Sequence, residues 1–123
     1  MDGDPLRLKK KLEDLLLEAA ELSVALDRAN GTIRGVPHYS VIEGRAHELG
    51  RQLSRHIQQR QVAEIVASQV PKGSCPGCGR CCELTPTKRS VTSVDGGVDL
   101  QELEGYCPTC RKAFFPPAGD AGV

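Results

Sequence analysis

The sequence predicts an α+β protein in which an N-terminal antiparallel helical hairpin is followed by a small C-terminal β-ribbon. Three observations support this class. Apolar residues recur at helical spacing up to residue 70, two Cys-Pro-x-Cys motifs follow, and a segment rich in β-branched residues lies between the motifs. We therefore expect the helical hairpin at residues 1–70, the ribbon at residues 71–117 and a disordered tail at residues 118–123.

The first helix is predicted from a heptad pattern. Asp4-Pro5 fits an N-cap followed by proline at the first helical position. Apolar residues then follow at alternating steps of four and three, which is the spacing of a coiled-coil seam. They are Leu8, Leu12, Leu15, Ala19, Leu22 and Leu26. Asn30-Gly31 should end the helix, because both residues tolerate a left-handed backbone.

The second helix is predicted after a loop at residues 32–39. Ser40 and Glu43 fit a capping box at its start. An apolar stripe follows at Ile42, Ala46, Leu49, Leu53 and Ile57, and it continues after a phase shift at Val62, Ile65, Val66 and Val70. The simplest arrangement is an antiparallel pair of helices whose seam can also pair with a second chain, which would give a homodimer.

A β-hairpin is predicted downstream of the helices. Residues 88–94 are rich in β-branched side chains, and residues 98–103 alternate between apolar and polar. Asp95-Gly96-Gly97 lies between the two segments and is typical of a turn. The chain has two Tyr, two Phe and no Trp, so its core must be mostly aliphatic. Such a small core often needs a staple such as a metal ion.

Two C-x-x-C motifs flank the predicted hairpin, Cys75-Pro-Gly-Cys78 and Cys107-Pro-Thr-Cys110. Two thiolates three residues apart on a tight turn can span one edge of a tetrahedron, and a hairpin can bring two such turns together. We therefore predict that Cys75, Cys78, Cys107 and Cys110 hold one structural Zn²⁺ ion, which makes the ribbon a zinc ribbon. Disulfides and a redox role are the alternatives for these cysteines.

The remaining cysteines, Cys81 and Cys82, are surplus to a four-thiolate site. We expect one of them to pack under the first motif and the other to be partly exposed. Phe114 and Phe115 are expected to cover the metal. A closed four-thiolate site has no open coordination position and generates no hydroxide nucleophile, so it predicts a structural metal rather than a catalytic one. We find no Ser/His/Asp constellation and no glycine-rich phosphate loop.

Charge and hydropathy bear on partners and location. The formal net charge is zero, which argues against a generally basic surface but leaves room for a local basic face. No apolar run approaches the roughly 20 residues that cross a bilayer. The charged N-terminus lacks the apolar core of a signal peptide. We therefore expect a cytoplasmic protein without membrane association, in which the thiols stay reduced.

The second helix has a local excess of positive charge, because residues 45–60 include four arginines and one glutamate. An ordinary solvated face explains this excess. The alternative is a face that contacts phosphates, for which arginine provides bidentate hydrogen bonds. The candidate phosphate contacts on the helix and the ribbon are Arg51, Arg55, Lys88, Arg89, Arg111 and Lys112.

Taken together, several segments resemble the N-terminal region of transposases from ISKra-type bacterial insertion sequences. The resemblance covers about residues 37–117. It rests on Ile42-Glu43, on His47-Glu48-Leu49-Gly50, on the first C-x-x-C motif, on the hairpin at residues 91–98, and on the segment from Tyr106 to Pro116. The zinc-ribbon part is generic, whereas the helical segment and the "CRKAFFP" segment make the resemblance more specific.

The resemblance implies that the chain binds transposon-end DNA for transposition, and it implies nothing about catalysis within this chain. In the family, an RNase H-like DDE domain follows the "FFP" segment and carries the metal-bound carboxylates. Here only a short segment follows Pro116, so we expect a non-catalytic fragment. Two other classes stay open, a stand-alone protein-interaction adaptor and a thiol-disulfide oxidoreductase that uses Cys81 or Cys82.

Overall fold

The computed structural model describes residues 3–116 and contains two helices followed by a four-stranded antiparallel sheet. The predicted α+β class is therefore confirmed. The elements are α1 (Pro5–Ala29), α2 (Tyr39–Ser68), β1 (Lys72–Ser74), β2 (Cys81–Ser93), β3 (Gly96–Cys107) and β4 (Lys112–Phe114). The chain forms two compact units, Met1–Ala46 and His47–Val123, which divide within α2. The predicted disordered tail at residues 118–123 lies outside the described residues.

Helix α1 begins and ends where the sequence predicts. The Asp4 side chain accepts a hydrogen bond from the backbone N–H of Leu6 (3.1 Å), and Pro5 is the first helical residue. At the other end Asn30 is the C-cap, and Gly31 has a φ of 74°, which glycine adopts without strain. Local capping chemistry therefore fixes the length of this helix.

A partly buried ion pair holds the turn that follows α1. The Asp27 carboxylate accepts hydrogen bonds from Nη2 (2.9 Å) and Nε (3.3 Å) of Arg45. The backbone carbonyl of Asp27 accepts a further bond from the N–H of Ile33 (3.1 Å). Asp27 is only 5% exposed, so its charge requires a partner. The arginine lies 18 residues further along the chain, and no local sequence pattern indicates this pair.

Helix α2 starts differently from the prediction. It begins at Tyr39, so Ser40 lies inside the helix and does not cap it. The ring nitrogen Nδ1 of His38 accepts the hydrogen bond from the backbone N–H of Ser40 (3.1 Å). The imidazole therefore takes the role that the capping box assigned to the serine hydroxyl. Neither described helix is long and apolar enough to cross a membrane.

The predicted β-hairpin is present and is longer than the sequence indicates. β2 and β3 pair continuously from Leu84 opposite Gly105 to Ser93 opposite Gly96. Pro86 lies inside β2, where a proline cannot donate a ladder hydrogen bond. It is tolerated because β1 pairs only with residues 81–83, which leaves the outer edge of β2 open at Pro86. The short strands β1 and β4 extend the sheet on either side of the hairpin.

Helix α2 lies along the edge of β3 that β4 leaves open. The amide oxygen of Gln59 accepts a hydrogen bond from the backbone N–H of Asp99 (3.1 Å). Nearer the hairpin tip, Arg55 donates to the backbone carbonyl of Asp95 (2.8 Å), and the Ser54 hydroxyl donates to the Asp95 carboxylate (2.5 Å). The helix therefore covers a strand edge that could otherwise pair with another chain.

One small core joins the end of α2 to the sheet. Its buried members are Val66, Cys75, Cys82, Leu84, Leu103, Cys107 and Phe114. Phe114 is 8% exposed and belongs to this core, whereas Phe115 is 53% exposed. Only one of the two phenylalanines expected to cover the cysteines is therefore buried. Small cores of this kind often rely on additional stabilisation, such as a bound metal ion.

Candidate metal centre

Each C-x-x-C motif forms a tight turn between two strands. Cys75 and Cys78 lie between β1 and β2, whereas Cys107 is the last residue of β3 and Cys110 lies between β3 and β4. In the first turn the N–H of Gly79 donates to the carbonyl of Cys75 (2.8 Å). In the second turn the N–H of Arg111 donates to the carbonyl of Cys107 (2.7 Å). Antiparallel pairing of the strands brings the two turns to the same end of the sheet.

The four sulfur atoms of these turns form a cluster. All lie within 4.8 Å of one another. The Sγ atoms of Cys75 and Cys110 are 3.8 Å apart, and those of Cys78 and Cys107 are 3.5 Å apart. A tetrahedral ion with metal–sulfur bonds of about 2.3 Å would separate its sulfur ligands by about 3.8 Å. The four predicted ligands are therefore close enough together to hold one metal ion.

Burial and hydrogen bonds distinguish the four thiols. Cys107 is fully buried, Cys75 is 5% exposed, and Cys78 lies at the surface. The backbone N–H of Cys110 donates to the Cys107 sulfur (3.4 Å) and lowers the pKa of Cys107 to about 6. Hydrogen bonding to the neighbouring thiols of Cys78 and Cys75 raises the pKa of Cys110 to about 12. The cluster therefore favours a thiolate at Cys107 and a protonated thiol at Cys110 before a metal binds.

We expect the affinity of this site for zinc to fall as the pH is lowered. Near neutral pH the metal must displace a proton from Cys110, whose pKa is raised to about 12. Below about pH 6 the Cys107 thiolate also becomes protonated, so the affinity should then fall more steeply. Competition with a chromophoric chelator between about pH 8 and about pH 5 measures this dependence. An affinity that does not change over this range would contradict thiolate ligation.

The two surplus cysteines lie outside the cluster, and they differ in burial as predicted. Cys82 is 7% exposed, and its thiol donates to the carbonyl of Arg80 (3.5 Å). Burial raises the pKa of the Cys82 thiol, so it is a poor nucleophile. Cys81 is exposed. Neither residue therefore completes the metal cluster, and neither forms a disulfide.

Two features of the site were not predicted from the sequence. Arg80, after the first turn, donates from Nη1 to the Thr109 hydroxyl of the second turn (3.1 Å). A Cβ atom at Gly77 would lie 3.3 Å from the Cys110 sulfur, so the first turn passes very close to this ligand. Neither contact follows from local spacing, because each joins residues of different motifs.

The candidate phosphate contacts on α2 make contacts within the chain. Arg55 bonds the carbonyl of Asp95, as described above, and its role in the fold is to hold the hairpin tip. Arg51 lies 3.6 Å from the Glu48 carboxylate in an exposed pair. Such surface pairs contribute little to stability, so the Arg51 guanidinium can exchange this partner for another anion.

The four candidate contacts on the ribbon do not share one face. Lys88 and Arg89 are consecutive in β2, so their side chains point to opposite faces of the sheet. Arg89 also lies 3.4 Å from the Glu102 carboxylate on β3. Arg111 and Lys112 are exposed at the second turn, where Arg111 has a positive φ of 57°. The structure therefore separates these cations into at least two surfaces.

The chain was also compared with known proteins. No family model, no curated protein and no solved structure gives a significant match. The strongest functional feature is therefore the geometry of the four cysteines.

Proposed function

We propose that the chain is a non-catalytic DNA-binding module whose ribbon is held together by one structural zinc ion. The observation that carries the metal assignment is the cluster of four cysteine sulfur atoms within 4.8 Å of one another. Zinc is the ion that a tetrahedral set of four thiolates most commonly holds in proteins. In this proposal Cys75, Cys78, Cys107 and Cys110 each contribute one sulfur.

The proposed zinc has a structural role because the protein supplies all four ligands. A catalytic zinc site keeps one position for water or substrate, and four thiolates leave no such position. The zinc would join the ends of β1, β2, β3 and β4 through their two connecting turns. It would therefore stabilise the sheet and the position of the cations at its periphery.

DNA binding is proposed from the exposed cations together with the resemblance to ISKra-type transposases. Four thiolates around Zn²⁺ have a net negative charge, so phosphate contacts must come from residues away from the metal. Lys88, Arg111 and Lys112 are exposed on the ribbon, and Arg51 is exposed on α2. We propose that these four side chains contact the backbone of transposon-end DNA. Arg89 would provide a further contact with the DNA backbone if its side chain moves away from the Glu102 carboxylate.

We expect DNA affinity to fall steeply with salt, because neutralising phosphates releases counterions. Replacing Lys88 and Lys112 by alanine should weaken binding and reduce the salt dependence by about one unit of log–log slope for each phosphate that is no longer neutralised. Fluorescence anisotropy with a labelled duplex measures both effects. Lys10→Ala, which removes a charge from α1 instead, is the matched control. Absence of binding above background near physiological salt would contradict the proposal.

A second candidate function is that of a protein-interaction adaptor, favoured by the exposed leucines of α1. Leu8, Leu12 and Leu15 are between 40% and 56% exposed. An adaptor would form stable complexes with protein and show no affinity for DNA. The anisotropy experiment therefore distinguishes the two functions.

A further inference from the structure

Helix α1 has an apolar stripe that no described part of the chain covers. In a heptad written abcdefg, Leu12, Ala19 and Leu26 occupy a positions, and Leu8, Leu15 and Leu22 occupy d positions. The five leucines of this stripe, which we call the α1 seam, are between 40% and 64% exposed. The only buried residue of α1 is Asp27, which lies outside the seam. A seam of this composition is expected to be covered in solution.

Helix α2 of the same chain cannot cover the whole seam, because much of it packs against the sheet. From Ser54 to Val66 its inward side chains contact the hairpin and the ribbon core. Residues 39–53 of α2 make none of these contacts, and this segment is about 22 Å long. Helix α1 has 25 residues and is about 37 Å long. A second copy of α1 matches the seam in both length and spacing.

We propose that α1 pairs with α1 of a second copy in a parallel two-stranded coiled coil. In a parallel pair each g position faces the e position of the next heptad of the partner. Within the helix, the charged residues at g, Lys11 and Glu18, then face uncharged residues at e, so no like charges meet. In the centred antiparallel arrangement, by contrast, Glu18 at g faces its own copy, and like charges repel. The charges therefore favour the parallel orientation.

The opposite face of α1 is suited to solvent. Lys10 at f and Asp14 at c form an ion pair four residues apart (3.0 Å), with both side chains largely exposed. This face also contains Leu17 at an f position, which is 66% exposed. Leu17 and Leu15 are thus chemically identical residues on opposite sides of the same helix turn. They provide a matched pair of positions for testing the seam.

The test is the mass of the chain in solution, measured by light scattering without DNA. The unaltered chain and Leu17→Glu should have the mass of two chains, and Leu15→Glu should have the mass of one. The zinc content of each variant shows whether its ribbon is still folded. A monomeric unaltered chain would overturn the proposal. Loss of the dimer in both variants would also overturn it, and so would retention of the dimer in both. If the unaltered chain is a monomer and Leu15→Glu lowers its stability, the result would indicate that the chain's own α2 covers the seam.

The orientation is tested by cross-linking through a cysteine at the end of the seam. In zinc-loaded protein that also contains Cys81→Ser, the substitution Leu26→Cys should give a disulfide-linked dimer on mild oxidation. A parallel pair places the two introduced thiols opposite each other. The centred antiparallel pair places each opposite residue 8, which is about 27 Å away along the helix. A dimer that does not cross-link would overturn the parallel arrangement. Because neither measurement involves DNA, failure of the proposed DNA binding would not affect the result.

Discussion

Replacing Cys107 by serine is expected to abolish high-affinity zinc binding and to unfold the four-stranded sheet. Cys107 is the only fully buried ligand, and it receives a hydrogen bond from the backbone of Cys110. Structural zinc binding by four thiolates contributes about 10–16 kcal/mol in small domains. Small domains have a net stability of only about 5–15 kcal/mol. Loss of one ligand can therefore remove most of the free energy that keeps the ribbon folded.

The measurement combines zinc content with far-UV circular dichroism and thermal unfolding. Cys107→Ser should lose the metal and the strand signal, while the helical signal of α1 persists only if that helix remains paired with another chain. Cys81→Ser is the matched control, because Cys81 is exposed and lies outside the cluster. It should change stability by no more than about 0.5 kcal/mol. Retention of zinc and strand signal by Cys107→Ser would show that the ligand assignment is wrong.

Adding a single methyl group at Gly105 is expected to destabilise the ribbon by about 1–3 kcal/mol. A Cβ atom at this position would lie 2.6 Å from Cζ of Phe114 and 2.7 Å from Cδ2 of Leu84. Both neighbours are buried in the core beside the cysteines, so neither can move without opening a gap. Gly105 therefore allows Leu84 of β2 and Phe114 of β4 to pack closely against the backbone of β3.

Gly97→Ala provides the control for this prediction. Gly97 lies on the same strand, and nothing comes within 4 Å of a Cβ atom placed there. Denaturant unfolding of the zinc-loaded variants should show a lower midpoint for Gly105→Ala and a change within about 0.5 kcal/mol for Gly97→Ala. Equal stability of the two variants would mean that the core does not pack as tightly at Gly105 as described.

The features that could be predicted from the sequence are those that depend on neighbouring residues. Asp4-Pro5 and Asn30-Gly31 bound α1 because helix caps involve residues within one turn of the helix end. The spacing within each C-x-x-C motif indicated a shared site because a tight turn places two sulfur atoms on one side. The β-branched segment at residues 88–94 indicated a strand because such side chains suit a pleated backbone.

Apart from the cap of α2, the features that escaped prediction depend on residues far apart in the chain. β1 and β4 have three residues each, too few for an apolar alternation, and they are strands only because β2 and β3 provide pairing edges. The pair Asp27–Arg45 and the bond from Arg55 to the hairpin tip join separate elements. The charge of Arg55 is visible in the sequence and predicts a phosphate contact, whereas its partner becomes visible only when the chain is folded.

X-ray absorption spectroscopy of the zinc-loaded chain would test the proposed metal centre most directly. Four thiolate ligands predict a first shell of four sulfur atoms at about 2.3 Å from the zinc. The same shell should remain in Cys81→Ser, because that cysteine lies outside the cluster. A first shell containing nitrogen or oxygen atoms at about 2.0 Å would contradict the assignment of Cys75, Cys78, Cys107 and Cys110 as the complete ligand set.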